Sequence, residues 1–90
     1  METTTRQGTS LTVHLTVRPR LPAGHPEPIV EFRYRGGILC CSYYLSTLQD
    51  IPAGEGLCLR GGSDPEELAP DAVAACRAQC AAWMREVQGG

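Results

Sequence analysis

The sequence contains no lysine, because all eight of its basic residues are arginine. Aromatic side chains make up only 6% of the chain, with one tryptophan and one phenylalanine. No apolar run approaches the roughly 20 residues of a transmembrane helix, and the first residues lack the apolar core of a signal peptide. The net charge of −2 is too small to steer the whole molecule to nucleic acid. These absences predict a cytoplasmic protein that does not bind a membrane.

Sequence motifs of the common catalytic sites are missing as well. There is no G-x-S-x-G, H-E-x-x-H, P-loop or G-x-G-x-x-G pattern. An acidic cluster at Asp64, Glu66 and Glu67 is better explained by a helix start, since the helix dipole favours carboxylates there. We therefore predict that the protein is not an enzyme and uses no cofactor.

The five cysteines do not form a recognisable metal or redox motif. No C-x-x-C pair occurs, and the adjacent Cys40 and Cys41 should point to opposite faces of a strand. An odd number of cysteines argues against a complete disulfide framework, and cytoplasmic thiols are kept reduced. We predict reduced, buried cysteines that bind no metal. The cysteines are Cys40, Cys41, Cys58, Cys76 and Cys80.

With 90 residues, the chain has the length of one domain. Residues 1–9 are polar and are predicted to be a flexible N-terminal tail, followed by a single α+β domain over residues 10–90. From Leu11 to Arg18, apolar and polar residues alternate, which predicts a strand with one buried and one solvated face. A second strand is expected over about 29–35, and Gly36-Gly37 is typical of a two-residue hairpin turn.

The third predicted strand, residues 38–45, does not alternate, as expected of a strand covered on both faces. Residues 46–56 are predicted to be a loop, 56–60 a short fourth strand, 65–69 a turn, and 70–88 a helix. The buried stripe of that helix is predicted to comprise Val73, Cys76, Cys80, Trp83 and Val87. The fold class is therefore α+β: a small antiparallel sheet of about four strands in ββββα order, with one C-terminal helix packed on one face.

One helix covers only one face of such a sheet, so the third strand should leave large side chains exposed on the other. The exposed set is either Leu39, Tyr43 and Leu45, or Ile38 and Tyr44. Exposed apolar patches mark interfaces, and tyrosine and arginine are favoured in binding hot spots. The predicted partner-binding residues are Tyr43, Tyr44, Arg33, Arg35 and Arg18. The alternative is that the 46–56 loop folds back and covers this patch.

These features favour a non-enzymatic protein-binding module, an inhibitor or regulator of a larger complex that could also form a homodimer. The hairpin-then-helix order, with Asp64-Pro65-Glu66-Glu67-Leu68 entering the helix, resembles small antitoxin and phage-inhibitor domains. That resemblance, which rests on size, charge and element order, implies a protein complex as the target. The alternative is a nucleic-acid-binding module that uses the arginines of the sheet. Salt dependence distinguishes the two, because phosphate binding weakens steeply as salt rises.

Overall fold

The computed structural model describes residues 1–19, 26–61 and 64–89. Four strands form one antiparallel sheet in the order β1-β2-β3-β4, and β5 and β6 form a separate two-stranded sheet. The predicted α+β class, a four-stranded antiparallel sheet followed by a C-terminal helix, is confirmed. In chain order the elements are β1 (Glu2–Thr4), β2 (Ser10–Pro19), β3 (Pro26–Tyr34), β4 (Leu39–Tyr44), α1 (Leu45–Gln49), β5 (Leu57–Leu59), β6 (Glu66–Leu68) and α2 (Pro70–Gly89).

No helix in the described part of the chain is both long enough and apolar enough to cross a membrane.

The register of the central strands places their apolar residues on one side of the sheet. Val13 of β2 lies opposite Phe32 of β3, and Phe32 lies opposite Cys41 of β4. Because directly opposed residues share a face, this side is the one that both helices and the small sheet cover. The buried residues of the core are Leu11, Val13, Val30, Phe32, Cys40, Leu45, Leu48, Leu59, Leu68, Val73, Cys76 and Cys80.

The N-terminal residues differ from the loose tail that their polarity suggests. Glu2–Thr4 pairs with Ser10–Thr12 and so supplies the fourth strand of the main sheet. Hydrogen bonds then hold the following turn to β6: the Thr5 hydroxyl donates to Glu66 Oε1 at 3.2 Å, and the Arg6 N–H donates to the Glu67 carbonyl at 2.7 Å. This segment is held by backbone and hydroxyl hydrogen bonds and not by apolar side chains. Its sequence therefore lacks the apolar alternation by which a strand can be predicted.

Two connecting segments also differ from their predicted structure. The predicted fourth strand at 56–60 does not join the main sheet, because β5 pairs with β6 where a turn was predicted. The predicted loop at 46–56 begins as a helix, since Leu45 and Leu48, three residues apart, both reach the core on one face of a single turn. Both corrections have the same cause: leucines widely separated in the sequence, Leu45, Leu48, Leu59 and Leu68, are buried in one core cluster.

The C-terminal helix agrees with the predicted range, although its buried stripe is shorter. Val73, Cys76 and Cys80 are buried as predicted. Trp83 is only half-buried, and Val87 is 59% exposed, so the inclusion of Val87 in the stripe is wrong. The last turns of α2 pass beyond the core and run beside Leu15 and Val17 of β2, where they form one wall of a surface groove.

Candidate functional site

The two neighbouring tyrosines of β4 lie on opposite faces of the sheet. Tyr44 is opposite Ile29 and is 49% exposed on the face away from the helices, which we call the open face. Tyr43 is opposite Val30 on the core side, where its ring packs edge-on against Phe32, with centroids 6.2 Å apart and planes at 77°. The Tyr43 hydroxyl donates to the Cys58 carbonyl at 2.8 Å. Tyr44 is thus the tyrosine available to a partner, whereas Tyr43 links β4 to β5.

A register shift in β4 changes which apolar residues accompany Tyr44. The shift falls between Phe32 and Arg33 of β3, so that Cys41 opposes Phe32 while Leu39 opposes Arg33. Leu39 therefore lies on the open face, 45% exposed, together with Tyr44. Of the two predicted sets, Ile38 and Tyr44 are both exposed, whereas the set of Leu39, Tyr43 and Leu45 is wrong because Tyr43 and Leu45 lie on the core side. Leu39 is exposed in addition, because a bulge reverses the facing of the residues beyond it.

The three arginines predicted to bind a partner, Arg33, Arg35 and Arg18, occupy different parts of the structure. Arg33 lies on the open face, where its Nη2 is 3.3 Å from Glu31 Oε1 and its Nη1 donates to the Gly37 carbonyl at 2.7 Å. Arg35 is exposed in the hairpin turn that follows β3. The backbone of Arg18 belongs to β2, but its side chain lies outside the described residues. The structure thus brings Arg33 and Tyr44 to one face, with Glu31 and Ser42 between them.

A shallow depression surrounds Tyr44. Its lining includes Ile29 and Ser42 from the open face and Thr47 from α1. The segment that was expected as an alternative cover, residues 46–56, directs Leu48 into the core on the other side of the sheet and leaves Tyr44 exposed. This depression at one end of β4 is the candidate functional site.

Among the side chains that the structure describes, those of the open face around this site are polar, and its arginine is paired with an acid. Thr16 donates from its hydroxyl to Glu31 Oε1 at 3.3 Å, the same oxygen that Arg33 approaches. The Glu31 carboxylate therefore pairs with Arg33 and is itself largely buried. Both terminal nitrogens of Arg33 are engaged within the protein, which leaves fewer of its donors for a phosphate.

The cysteines pack differently from the simple alternation that was predicted for them. All five are free thiols; Cys40, Cys76 and Cys80 are buried, whereas Cys58 is exposed. At the bulge, burial and the neighbouring Cys40 thiol raise the pKa of Cys41 to about 12. No three potential ligands among His, Cys, Asp and Glu converge within the described ranges in the way that a metal site requires.

These pKa shifts predict unequal thiol reactivity. Burial raises the pKa of Cys80 to about 11 and also raises that of Cys76. A raised pKa lowers the thiolate fraction, so at about pH 8 roughly one Cys41 thiol in ten thousand is ionised. Limited alkylation with iodoacetamide, followed by peptide mass spectrometry, should modify Cys58 well before Cys41, Cys76 or Cys80. All five thiols should react once guanidinium unfolds the chain; equal rates in the native protein would contradict the described burial.

No protein-family model, curated protein or solved structure matches this chain. The function is therefore inferred from the geometry of the chain's own residues.

Proposed function

We propose that this protein is a non-enzymatic binding module, an inhibitor or regulator that docks on a larger protein complex through the open face around Tyr44. The observation that carries the proposal is the exposure of two large side chains, Tyr44 and Leu39, at the two ends of β4 on the sheet face away from the core. Exposed aromatic and aliphatic side chains on such a face supply the apolar centre of a protein interface.

The chemistry of the open face favours a protein over a nucleic acid. Arg33 is paired with Glu31, and the depression beside Tyr44 is walled by Ile29, which suits an apolar side chain of a partner. Threonine and serine hydroxyls around these residues provide the polar rim that protein interfaces have. Arg35, exposed at the hairpin, would pair with an acidic residue at the edge of the contact.

The state of the thiols supports a binding role rather than a catalytic one. Nucleophilic and redox cysteines act as thiolates and have lowered pKa values. In this protein, burial moves the pKa of Cys41, Cys76 and Cys80 in the opposite direction.

Serine substitutions of the two tyrosines test the proposal. Tyr44→Ser should leave thermal stability nearly unchanged and abolish partner association, because Tyr44 contributes exposed surface. Tyr43→Ser should destabilise the fold by about 2 kcal/mol, because it removes the ring packed on Phe32 and the hydrogen bond to Cys58. Thermal melting measures the first property, and affinity capture from host extract with quantitative mass spectrometry measures the second.

Tyr43→Phe serves as the matched control, since it keeps the ring in the core and should preserve association. The capture is repeated at raised salt, where a phosphate-dependent ligand dissociates and an apolar protein contact persists. Association that survives Tyr44→Ser, or a Tyr44-dependent ligand that salt removes as nucleic acid, would show that the proposal is wrong.

A further inference from the structure

The outer edge of β2 is longer than the strand that pairs with it. β1 pairs with Ser10–Thr12, while β2 continues to Pro19. At the end of β1, the Val13 N–H donates to the Met1 carbonyl at 2.8 Å, which shows that Val13 directs its backbone groups outward. Backbone groups point the same way at every second residue of an antiparallel strand. Leu15 and Val17 therefore direct their N–H and C=O groups outward, where the described chain places no strand.

An apolar groove lies directly beside this edge. Its floor is formed by the side chains of Leu15 and Val17, and its far wall by the last turns of α2. The groove has a volume of about 360 Å³, and Val87 on its wall is largely exposed to solvent. Its lining is Met1, Val13, His14, Leu15, Val17, Trp83, Glu86 and Val87. A strand edge with outward hydrogen-bonding groups thus borders a slot that can receive apolar side chains.

We propose that this groove binds an extended segment of a partner protein, which adds to the main sheet as a strand alongside Leu15–Pro19. The outward N–H and C=O groups of Leu15 and Val17 bind a backbone only if that backbone is extended, because a helix satisfies its own hydrogen bonds. The groove between β2 and α2 receives the side chains that the added strand directs toward the helix side of the sheet. This surface is separate from the open face around Tyr44, and the proposal does not depend on it.

The residues of the groove define the chemistry of that segment. Side chains alternate across an added strand, so every second residue should be apolar to fill the space between Leu15 and Trp83. Glu86 is the acidic member of the lining, and no arginine is among the lining residues that the structure describes, so a lysine or arginine on the segment would complement it. A second copy of this chain fits less well, because the β2 residues that alternate onto the helix side, Val13, Leu15 and Val17, include no cation to complement Glu86.

Selection from a displayed random peptide library of about ten residues, a typical strand length, identifies the segment. The enriched peptides should alternate apolar with polar residues and carry lysine or arginine. Binding should shift the emission of Trp83 to shorter wavelength, and this signal is unambiguous because the chain has one tryptophan. Amide chemical shifts should change at Leu15–Val17 and not at Ser42–Tyr44.

The Val17→Pro variant tests the backbone contact directly. Proline removes the outward N–H, which bonds to no described strand, so the β2–β3 ladder survives. Affinity for an enriched peptide should fall about tenfold or more. Val17→Thr, which keeps the N–H and a β-branched shape, is the matched control and should bind within about threefold of the original. Unchanged melting of both variants shows that any loss arises at the edge.

Two further variants test the charge preference of the groove and its independence from the open face. Glu86→Arg should lose the basic peptides and select acidic ones, while Tyr44→Ser should bind the enriched peptides normally. The proposal is overturned if no peptide is enriched, or if Val17→Pro binds as tightly as Val17→Thr. It is also overturned if sedimentation shows a dimer that the groove variants dissociate, since a second copy would then be the occupant.

Discussion

Replacing Phe32 by alanine is expected to lower the free energy of unfolding by about 3–5 kcal/mol. Phe32 is fully buried, lies opposite Val13 on one side and Cys41 on the other, and contacts the ring of Tyr43. Its removal opens a cavity at the centre of the sheet, where paired strands on both sides cannot collapse into it. Small domains have only about 5–15 kcal/mol of total stability, so this single change should bring the protein close to unfolding.

Urea denaturation monitored by circular dichroism measures this loss, with two variants for comparison. Ile38→Ala, at a residue that is 71% exposed, should stay within about 0.5 kcal/mol of the original. Trp83→Ala should cost about 1–2 kcal/mol, because its ring is half-buried beside the groove and less area is lost than for a fully buried ring. If Trp83→Ala costs more than Phe32→Ala, the last turns of α2 belong to the core and the described packing is incorrect.

Gly61→Ala is expected to cost about 3 kcal/mol or more. A β-carbon at this position would overlap the carbonyl carbon and oxygen of Cys40, and would lie 3.0 Å from the Cys40 sulfur. Those obstacles are backbone atoms of β4, which are held in the sheet and cannot rotate away as a side chain can. Either the segment after β5 or the end of β4 must move, and each movement disturbs the contact between the two sheets.

Gly54→Ala provides a matched control for this effect. Gly54 has a φ of +86° and nothing within 4 Å of an added β-carbon, so alanine there costs only the strained backbone, about 1 kcal/mol. Both variants add one methyl group, and thermal melting with urea titration compares them directly. A Gly61→Ala protein as stable as the Gly54→Ala protein would mean that residue 61 does not pack against β4.

The main elements of the fold could be predicted from local patterns, and the pairing of the short strands could not. The alternation of β2 and the spacing of Val73, Cys76 and Cys80 each encode an element within a few neighbouring residues. Gly36-Gly37 marks the connection between β3 and β4, but the predicted two-residue turn is wrong, because the Gly37 N–H donates to the Tyr34 carbonyl and Arg35 and Gly36 are the central residues. β1 is different, because a Glu-Thr-Thr strand depends on its pairing with Ser10–Thr12 and on the docking of the adjoining turn to β6. Such partners lie up to about sixty residues apart, and a single sequence contains no local signal for them.

The candidate site was predicted in composition but not in arrangement. One helix can cover only one face of a four-stranded sheet, so tyrosine and arginine were expected on the other face. The structure places Tyr44 and Arg33 on that face. The bulge determines which tyrosine and which leucine are exposed, and it depends on the register of β3 against β4. The pairing of Arg33 with Glu31, two residues apart on one strand face, could have been predicted from the alternation itself.

The two outer edges of the main sheet, the β2 edge beyond β1 and the β4 edge, differ in how much of each is free to pair. This difference determines how many partner segments one copy of the protein can bind. At β4, Gly61 lies against the Cys40 end, and α1 begins directly after Tyr44, so little of that border in the described chain remains for another chain to join. A fibre that grows by repeated strand addition needs an acceptor at both borders, because each new subunit must offer the next one a place to bind. A sheet that accepts at one border only should saturate at one bound segment for each copy, and it should form closed complexes instead of open-ended polymers.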